Sequence, residues 1–325
     1  CQPKKCPHHR SRHKDKAGFM KKVLVIHYSQ SGQLSDVVTH FTKPLLGSEH
    51  IDVTFEAVQP QQPYPFPWPF WQFFDTFPES VYLDPPAMQP SKLTGEEDFD
   101  LVILAYQVWF LSPSLPITGF LKSPVAERLL KNKPVITLIA CRNMWLQAQE
   151  EVKKLISALE AKLIGNVALV DEASTAGSFI ATPLWVLTGN KGPRLNGLIP
   201  RAGVSPEEVK RSERFGLRLR EALEESHELN EAILSGLSAV DVNEHLIASE
   251  KIGRRSFLIW GGLLRKIGRQ GAMLRKPVLA IYIIFLLTLI LTVVPLSALI
   301  KKLLSPLFKT RIAQQKHYFA LPSGE

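Results

Sequence analysis

The sequence predicts an α/β fold, a doubly wound parallel sheet of five strands with helices on both faces. Three observations predict it. Short runs rich in Val, Ile and Leu recur through the first 170 residues. Stretches with apolar residues at helical spacing separate them. Most of the runs are apolar throughout rather than alternating, as strands covered on both faces must be.

The elements follow in order. Residues 21–28, KKVLVIHY, predict the first strand. Residues 33–46 predict a helix, with Leu34, Val37, Val38, Phe41 and Leu45 along one face. Residues 51–58, IDVTFEAV, alternate as a second strand, and 99–105, FDLVILA, form a third with Asp98 and Asp100 beside its start. Residues 134–140, PVITLIA, are the fourth strand, 146–161 a helix, and 163–170, LIGNVALV, the fifth strand. A further helix over 206–225 opens on Ser205 as N-cap and Pro206 at its first position. Two stretches fall outside this core, an insert at 59–91 and everything after about 240. The organisation read from the chain is therefore a leader or mis-assigned start at 1–19, an α/β domain at 20–240, a basic amphipathic linker at 241–276, an apolar helix at 277–300 and a basic tail at 301–325.

The chain has 325 residues, 45% of them hydrophobic, and a formal net charge of +9. The basic excess sits at the two ends, in the first 19 residues and in 251–276. That placement excludes a nucleic-acid-binding face and points to anionic lipid. The three cysteines, Cys1, Cys6 and Cys141, imply no disulfide framework, and a reducing compartment follows. The N-terminal Cys/His tract lacks standard metal-ligand spacing and the apolar core of a signal peptide, so Met20 reads as the natural start and no metal site is expected.

In a doubly wound sheet, ligands bind beyond the carboxyl ends of the strands. The loops to inspect are 29–34, 106–114 and 141–145. The first, Ser29-Gln30-Ser31-Gly32-Gln33-Leu34, offers hydroxyls, backbone N–H groups and a helix N-terminus, which together bind phosphate without a basic residue. An ordinary capped turn uses the same residue types, and local pattern alone leaves both readings open. In the second loop, Trp109 and Phe110 offer flat faces suited to an aromatic ring system, or pack against the sheet edge.

The stretch VLVIHYSQSGQL resembles the phosphate loop of the flavodoxin-like family, Ser/Thr-x-Thr-Gly-x-Thr, with Leu34 in place of the final Thr. The segment LAYQVWFLSPSLPITGFL, residues 104–121, resembles the stretch after the third strand in that family's oxidoreductases, with Gln107 where Pro is common. The resemblance implies flavin mononucleotide (FMN), with Ser29, Gln30, Ser31, Gly32, Gln33 and Leu34 around its phosphate. It implies Gln107, Val108, Trp109 and Phe110, then Cys141, Arg142 and Asn143, around its ring. In that setting Asn143 or backbone N–H groups bond the ring's polar edge and Arg142 stabilises a reduced, anionic flavin. Cys141 reads as a small buried hydrophobe rather than a nucleophile. A nicotinamide cofactor, NAD(P)H, or a protein partner would be the reductant.

A narrower resemblance covers nearly all the chain after Met20. HYSQSGQL, the insert PFPWPFWQFFDTFPESV, YQVWFLSPSLPITGFL and the late apolar helix together are similar to bacterial dialkylresorcinol condensing enzymes, associated with dialkylresorcinol, flexirubin-type and aryl-polyene pigments. Condensation chemistry normally needs an activated Cys with His partners. Only Cys141 lies outside the tail, and no His is near it in sequence. The expected function is thus an FMN-dependent oxidoreductase acting on a lipophilic intermediate of such a pathway. The alternatives are a flavin-free condensing enzyme, or its partner, holding the phosphopantetheine of an acyl carrier protein, and a non-enzymatic membrane scaffold.

The insert alternates Pro with Tyr, Phe and Trp, and its prolines disfavour helix and central strand. It reads as packing over the sheet edge, as a lid for a greasy substrate, or as a dip into a bilayer. Residues 277–300 carry no charge and are long enough to span a membrane. Basic and apolar residues mix before them, as in an interfacial helix. Lys301, Lys302, Lys309 and Arg311 follow. Basic flanks and a flavin-type domain place the chain at a bacterial inner membrane, its domain facing the cytoplasm, through a single span or a re-entrant anchor.

Overall fold

In a computed structural model, residues 20–171, 175–293 and 309–323 are described. Five strands form one parallel sheet: β1 (Lys21–His27), β2 (Ile51–Ala57), β3 (Leu101–Tyr106), β4 (Pro134–Cys141) and β5 (Lys162–Val170). Their order is β2-β1-β3-β4-β5. This is the flavodoxin-like order, in which the chain winds one way from β1 and then the other, leaving a crevice between the β1 and β3 loops. All six residues of β3 are buried, as expected of a central strand. Asp100 accepts the Lys22 backbone N–H at 2.8 Å and the Lys21 ammonium at 3.1 Å, fixing the starts of β1 and β3 together.

Helix α1 (Gln33–Leu46) buries Leu34, Val37, Val38, Phe41 and Leu45, the face predicted from spacing. The helix predicted over 206–225 is broken at Ser212 into α8 (Pro206–Arg211) and α9 (Glu213–Glu224). The Ser212 hydroxyl donates to the Val209 carbonyl at 2.6 Å, competing with the helical ladder there. The Ser205 cap forms as predicted and accepts the Glu208 N–H at 3.2 Å.

The insert departs from the expectation of extended chain. It contains two short helices, α2 (Phe70–Asp75) and α3 (Phe77–Val81). Pro69 and Pro78 stand at or near helix starts, where a missing N–H costs nothing. Between β3 and β4 lie α4 (Leu115–Leu121) and α5 (Pro124–Leu130). Helix α6 (Leu146–Ala158) follows β4 and α7 (Thr175–Thr188) follows β5.

Described parts of the chain after 240 join the core, which was expected to end there. Val242, Ile247, Phe319 and Ala320 are buried in the main apolar cluster. Helix α10 (Glu244–Ile267) buries Glu250, Arg254 and Leu264 against the domain, where a basic amphipathic linker outside the core was expected. Its basic residues explain the difference. Arg254 pairs with Glu151 at 3.4 Å and bonds the Ser112 hydroxyl. Arg265 pairs with Asp84 at 2.8 Å. Helix α11 (Arg275–Thr288) continues the apolar run, with a π-helical turn to Val293. Residues 275–292 form a helix long and apolar enough to cross a membrane, with mean hydropathy 1.8. The N-terminal tract at 1–19, the last part of the predicted apolar helix at 294–300, and Lys301 and Lys302 lie outside the described residues.

Candidate functional site

Parallel strands bring the loops after β1, β3 and β4 to one edge of the sheet. The first loop is shaped by Gly32, which sits at φ 85° and leads into α1. That left-handed conformation is strained for any residue with a Cβ. No side chain caps α1, so its first N–H groups are not taken by a cap. The Ser29 hydroxyl is buried and has no hydrogen-bond partner among the described residues. An orphaned hydroxyl beside an uncapped helix N-terminus has the donor character an anionic oxygen requires.

The other loop residues divide by role. Leu34 is fully buried in the core, so its side chain does not face a ligand; this accounts for an apolar residue where the family pattern has Thr. Gln33 is buried and donates from Nε2 to the Val204 carbonyl at 3.2 Å. Gln30 donates to the Pro65 carbonyl at 2.8 Å, tying the loop to the insert. Ser29, Ser31 and Gly32 remain as the ligand-facing candidates.

In the second loop, Val108–Trp109 pairs antiparallel with Ser112–Pro113. The two-residue turn between them is Phe110 (φ 49°) and Leu111 (φ 60°). Both residues are bulky and both are left-handed, a conformation usually left to Asn and Gly in such turns. Tertiary contacts hold it. Phe110 packs among Phe73, Phe77 and Phe257, with ring centroids 4.9, 6.0 and 5.9 Å away. Phe110 is therefore an anchor of the insert and of α10. Trp109 turns the other way, toward Tyr28, Tyr64 and Trp68 at 5.9, 4.9 and 5.5 Å, mostly edge-to-face. Gln107 accepts the Ser114 N–H through its backbone carbonyl and closes the hairpin.

In the third loop, Cys141 is half-buried, and burial raises its thiol well above the ordinary value. It is a poor nucleophile at neutral pH. Burial lowers Arg142 to about 10, against the opposing pull of Asp171, Cys141 and Glu250, so it stays charged. Arg142 reaches the Met144 sulfur at 3.2 Å, and Asn143 lies beside it in the same loop. The loop is pinned from below by the hydrogen-bonded chain Tyr106–Gln149–Thr137.

Three further residues were not legible in the sequence. Glu250, from α10, accepts the Gln147 N–H at 3.0 Å and caps the N-terminus of α6, directly behind the third loop. Burial raises its carboxyl to about 8, opposed by backbone bonds from Gln147, Leu146 and Trp145 and by Arg142. Lys191 and Arg201 belong to the segment that meets the first loop where Gly203 and Val204 touch Gln33. Lys191 lies 5.0 Å over the Trp185 ring and is electrostatically coupled to Asp36 in the first turn of α1. Gly203, two residues beyond Arg201, donates its N–H to Asp171 at 3.1 Å, and an added Cβ there would meet Gln33 at 2.5 Å. Nothing in residue spacing announced the contacts of Glu250 with Gln147, of Lys191 with Asp36 and of Gly203 with Gln33, which join segments more than 100 residues apart.

Glu250 carries a pH dependence. Its folded value lies above the unfolded value, so the folded state keeps a proton the unfolded chain releases. Stability from this group is full below about pH 4.5, falls as pH rises, and levels off above about 8. Glu250→Gln is expected to flatten that decline, worth on the order of a few kcal/mol at pH 8. Urea unfolding of both proteins from pH 5 to 8 checks it; parallel curves for the two would contradict it.

No protein-family model matches the chain, and no curated protein matches it. Solved structures do. A flavoprotein from Lactobacillus acidophilus NCFM, in complex with FMN, is 15% identical over 46% of this chain and 93% of its own, with a TM-score of 0.36. A putative flavoprotein from Bacteroides eggerthii is 18% identical over 46% and 87%, at 0.34. Oxidised flavodoxin 1 from Bacillus cereus is 14% identical over 64% and 99%, at 0.32. At such scores these likenesses add no weight to the strand order, which itself defines the fold as flavodoxin-like, and they carry nothing about function.

Proposed function

We propose that this chain is a membrane-associated FMN-binding oxidoreductase that acts on a lipophilic intermediate. The observation that carries the reading is the first loop. Among the described residues it combines the unpartnered Ser29 hydroxyl, the uncapped α1 N-terminus and the left-handed Gly32, with open space where a Gly32 side chain would stand. These features suit a phosphate monoester. When bound, FMN supplies hydride and electron exchange. The chain's residues would do the rest. Ser29 and Ser31 hold the phosphate, Trp109 offers an aromatic wall, and Arg142 offers positive charge against a reduced ring. NAD(P)H or a protein partner is the proposed reductant.

The lipophilic substrate is supported by a cleft of about 460 Å³ between the insert and the start of α11, lined by Tyr64, Trp71, Gln72, Asp75, Lys276 and Leu279. Tyr64 belongs both to this cleft and to the aromatic group around Trp109. In this reading a greasy molecule in the cleft lies against Tyr64, one ring away from Trp109. The sequence resemblance supports a pathway of dialkylresorcinol or aryl-polyene pigment synthesis for that substrate, and the basic flanks of the apolar helix support an inner membrane with the sheet domain in the cytoplasm.

A second reading has its own observation. Three rings crowd Trp109, which favours a flavin-free enzyme or partner of resorcinol condensation whose first loop holds the phosphate of a carrier-bound phosphopantetheine. Binding of FMN compared with riboflavin tests the first reading. A phosphate cradle discriminates strongly between them.

A further inference from the structure

From Lys251 to Val293 the chain contains eight Lys or Arg residues and no Asp or Glu. Arg254, Arg265 and Arg275 are spent on acidic partners within the fold. Arg255, Lys266, Arg269 and Lys276 remain exposed. Among them lies an open apolar face. On α10 it comprises Ile252, Ile259 and Leu263, and on α11 Ile281, Ile284 and Leu287, each between 46% and 72% exposed. Met273 and Leu274, 77% and 74% exposed, join the two at the turn. The opposite side of α11 is buried against the domain through Leu279, Tyr282 and Ile283.

Both ends of the apolar run are fastened to the same body. At its start, Arg275 is fully buried, pairs with Asp75 at 3.0 Å and bonds both Glu79 oxygens at 3.0 and 3.2 Å. Beyond it, residues 309–320 are helical and return to the sheet. Tyr318 donates to Glu150 at 2.8 Å, Phe319 is buried under Lys251, and the Ser323 hydroxyl donates to the Asn166 carbonyl of β5 at 2.5 Å. A helix from 275 to 293 is about 28 Å long. The intervening residues 294–308 can cover about 50 Å when extended. The chain therefore has the length to come back.

We propose that α10 and α11 form a one-sided membrane anchor: their shared apolar face enters one leaflet of an anionic bilayer, and the C-terminal tail stays on the same side as the sheet domain. A spanning helix would have to carry residues 309–323 across the membrane, breaking the Ser323, Phe319 and Tyr318 contacts and exposing the buried Phe319. It would also expose both faces of α11 to lipid and pull Tyr282 from its aromatic neighbours. The occupant is lipid rather than a second copy of the chain, because the exposed charged residues over this stretch are all basic. Two such rims repel, whereas anionic headgroups complement them. The inference rests on the membrane association proposed above and adds its topology.

The test uses the full chain with one epitope tag at each end, reconstituted into sealed vesicles containing one-third phosphatidylglycerol. Vesicle flotation is followed by external protease. Both tags are expected to be cut to the same extent on floated molecules. Ile281→Glu with Ile284→Glu, both at open positions, is expected to cut flotation at least tenfold while leaving the thermal transition unchanged. A floated chain with one tag cut and the other protected until detergent is added would overturn the one-sided anchor alone. A chain that fails to float would overturn membrane association as a whole. FMN binding, measured on the same protein, is independent of either result.

Discussion

Ser29→Ala is expected to weaken FMN binding at least tenfold and to leave the unliganded protein as stable as before, or slightly more so. The two effects have opposite physical origins. In the free protein the Ser29 hydroxyl is buried without a partner among the described residues. A buried polar group in that state costs about 1–3 kcal/mol, which the alanine variant no longer carries. With a phosphate in the loop, the same hydroxyl donates a charge-assisted hydrogen bond, worth roughly 1.5–3 kcal/mol, and its loss is a tenfold or larger drop in affinity. A serine present only to shape the turn would behave otherwise: its removal would lower stability and leave affinity alone. Fluorescence titration of FMN and urea unfolding, run on both proteins, separate the cases. A drop in stability without a drop in affinity would contradict the ligand role.

Arg275→Ala is expected to destabilise the protein by about 3–5 kcal/mol. Arg275 has no exposed surface, and it neutralises two carboxylates, Asp75 and Glu79, that belong to the insert. Truncation leaves Asp75 buried without its paired guanidinium and leaves Glu79 only the longer contact with Arg265, at 3.9 Å. Gly271 adds a 2.6 Å backbone bond to Asp75 from the turn before α11, so the loss loosens the whole junction between α10, α11 and the insert. Two consequences follow. The thermal transition drops, and trypsin cuts between residues 265 and 276 faster than in the parent, since the backbone beside Arg265, Lys266 and Arg269 can adopt the extended form a protease needs once the turn is unpinned. Arg275→Lys is expected to recover only part of the loss, because a single ammonium cannot replace a planar fork that meets two carboxylates. A variant as stable as the parent would show that the insert holds α11 through apolar packing alone.

Much of the sheet was legible because its signal is local. Runs such as LVIL in β3 are buried on both faces and read as continuous apolar chain. The helix α1 announced itself through one apolar stripe, and Ser205-Pro206 through cap chemistry. The first-loop candidates were legible for the same reason, since Ser29, Ser31 and Gly32 follow a strand and precede a helix within six residues. What the sequence hid depends on contacts between distant segments. The basic residues of 251–276 suggest a solvated or lipid-facing strip. Yet Arg254 and Arg275 are buried, because carboxylates from α6 and from the insert, 100 to 200 residues away, receive them. Glu250 was one acid among many until α10 placed it under the N-terminus of α6. Phe110 offered a flat face to any ring, and the insert's own phenylalanines took it. The prolines of the insert argued against helix, but two of them stand where helices begin.

The central claim is that the loop after β1 holds a phosphate monoester, and the most direct measurement compares FMN with riboflavin, which has the same ring and no phosphate. Equilibrium titration of the detergent-purified protein, by quenching of flavin fluorescence, gives both affinities. The account predicts that FMN binds at least about 100-fold more tightly, a difference of about 2.7 kcal/mol, carried by the Ser29 hydroxyl and the α1 N-terminus. Equal affinities, or no binding of either, would contradict it.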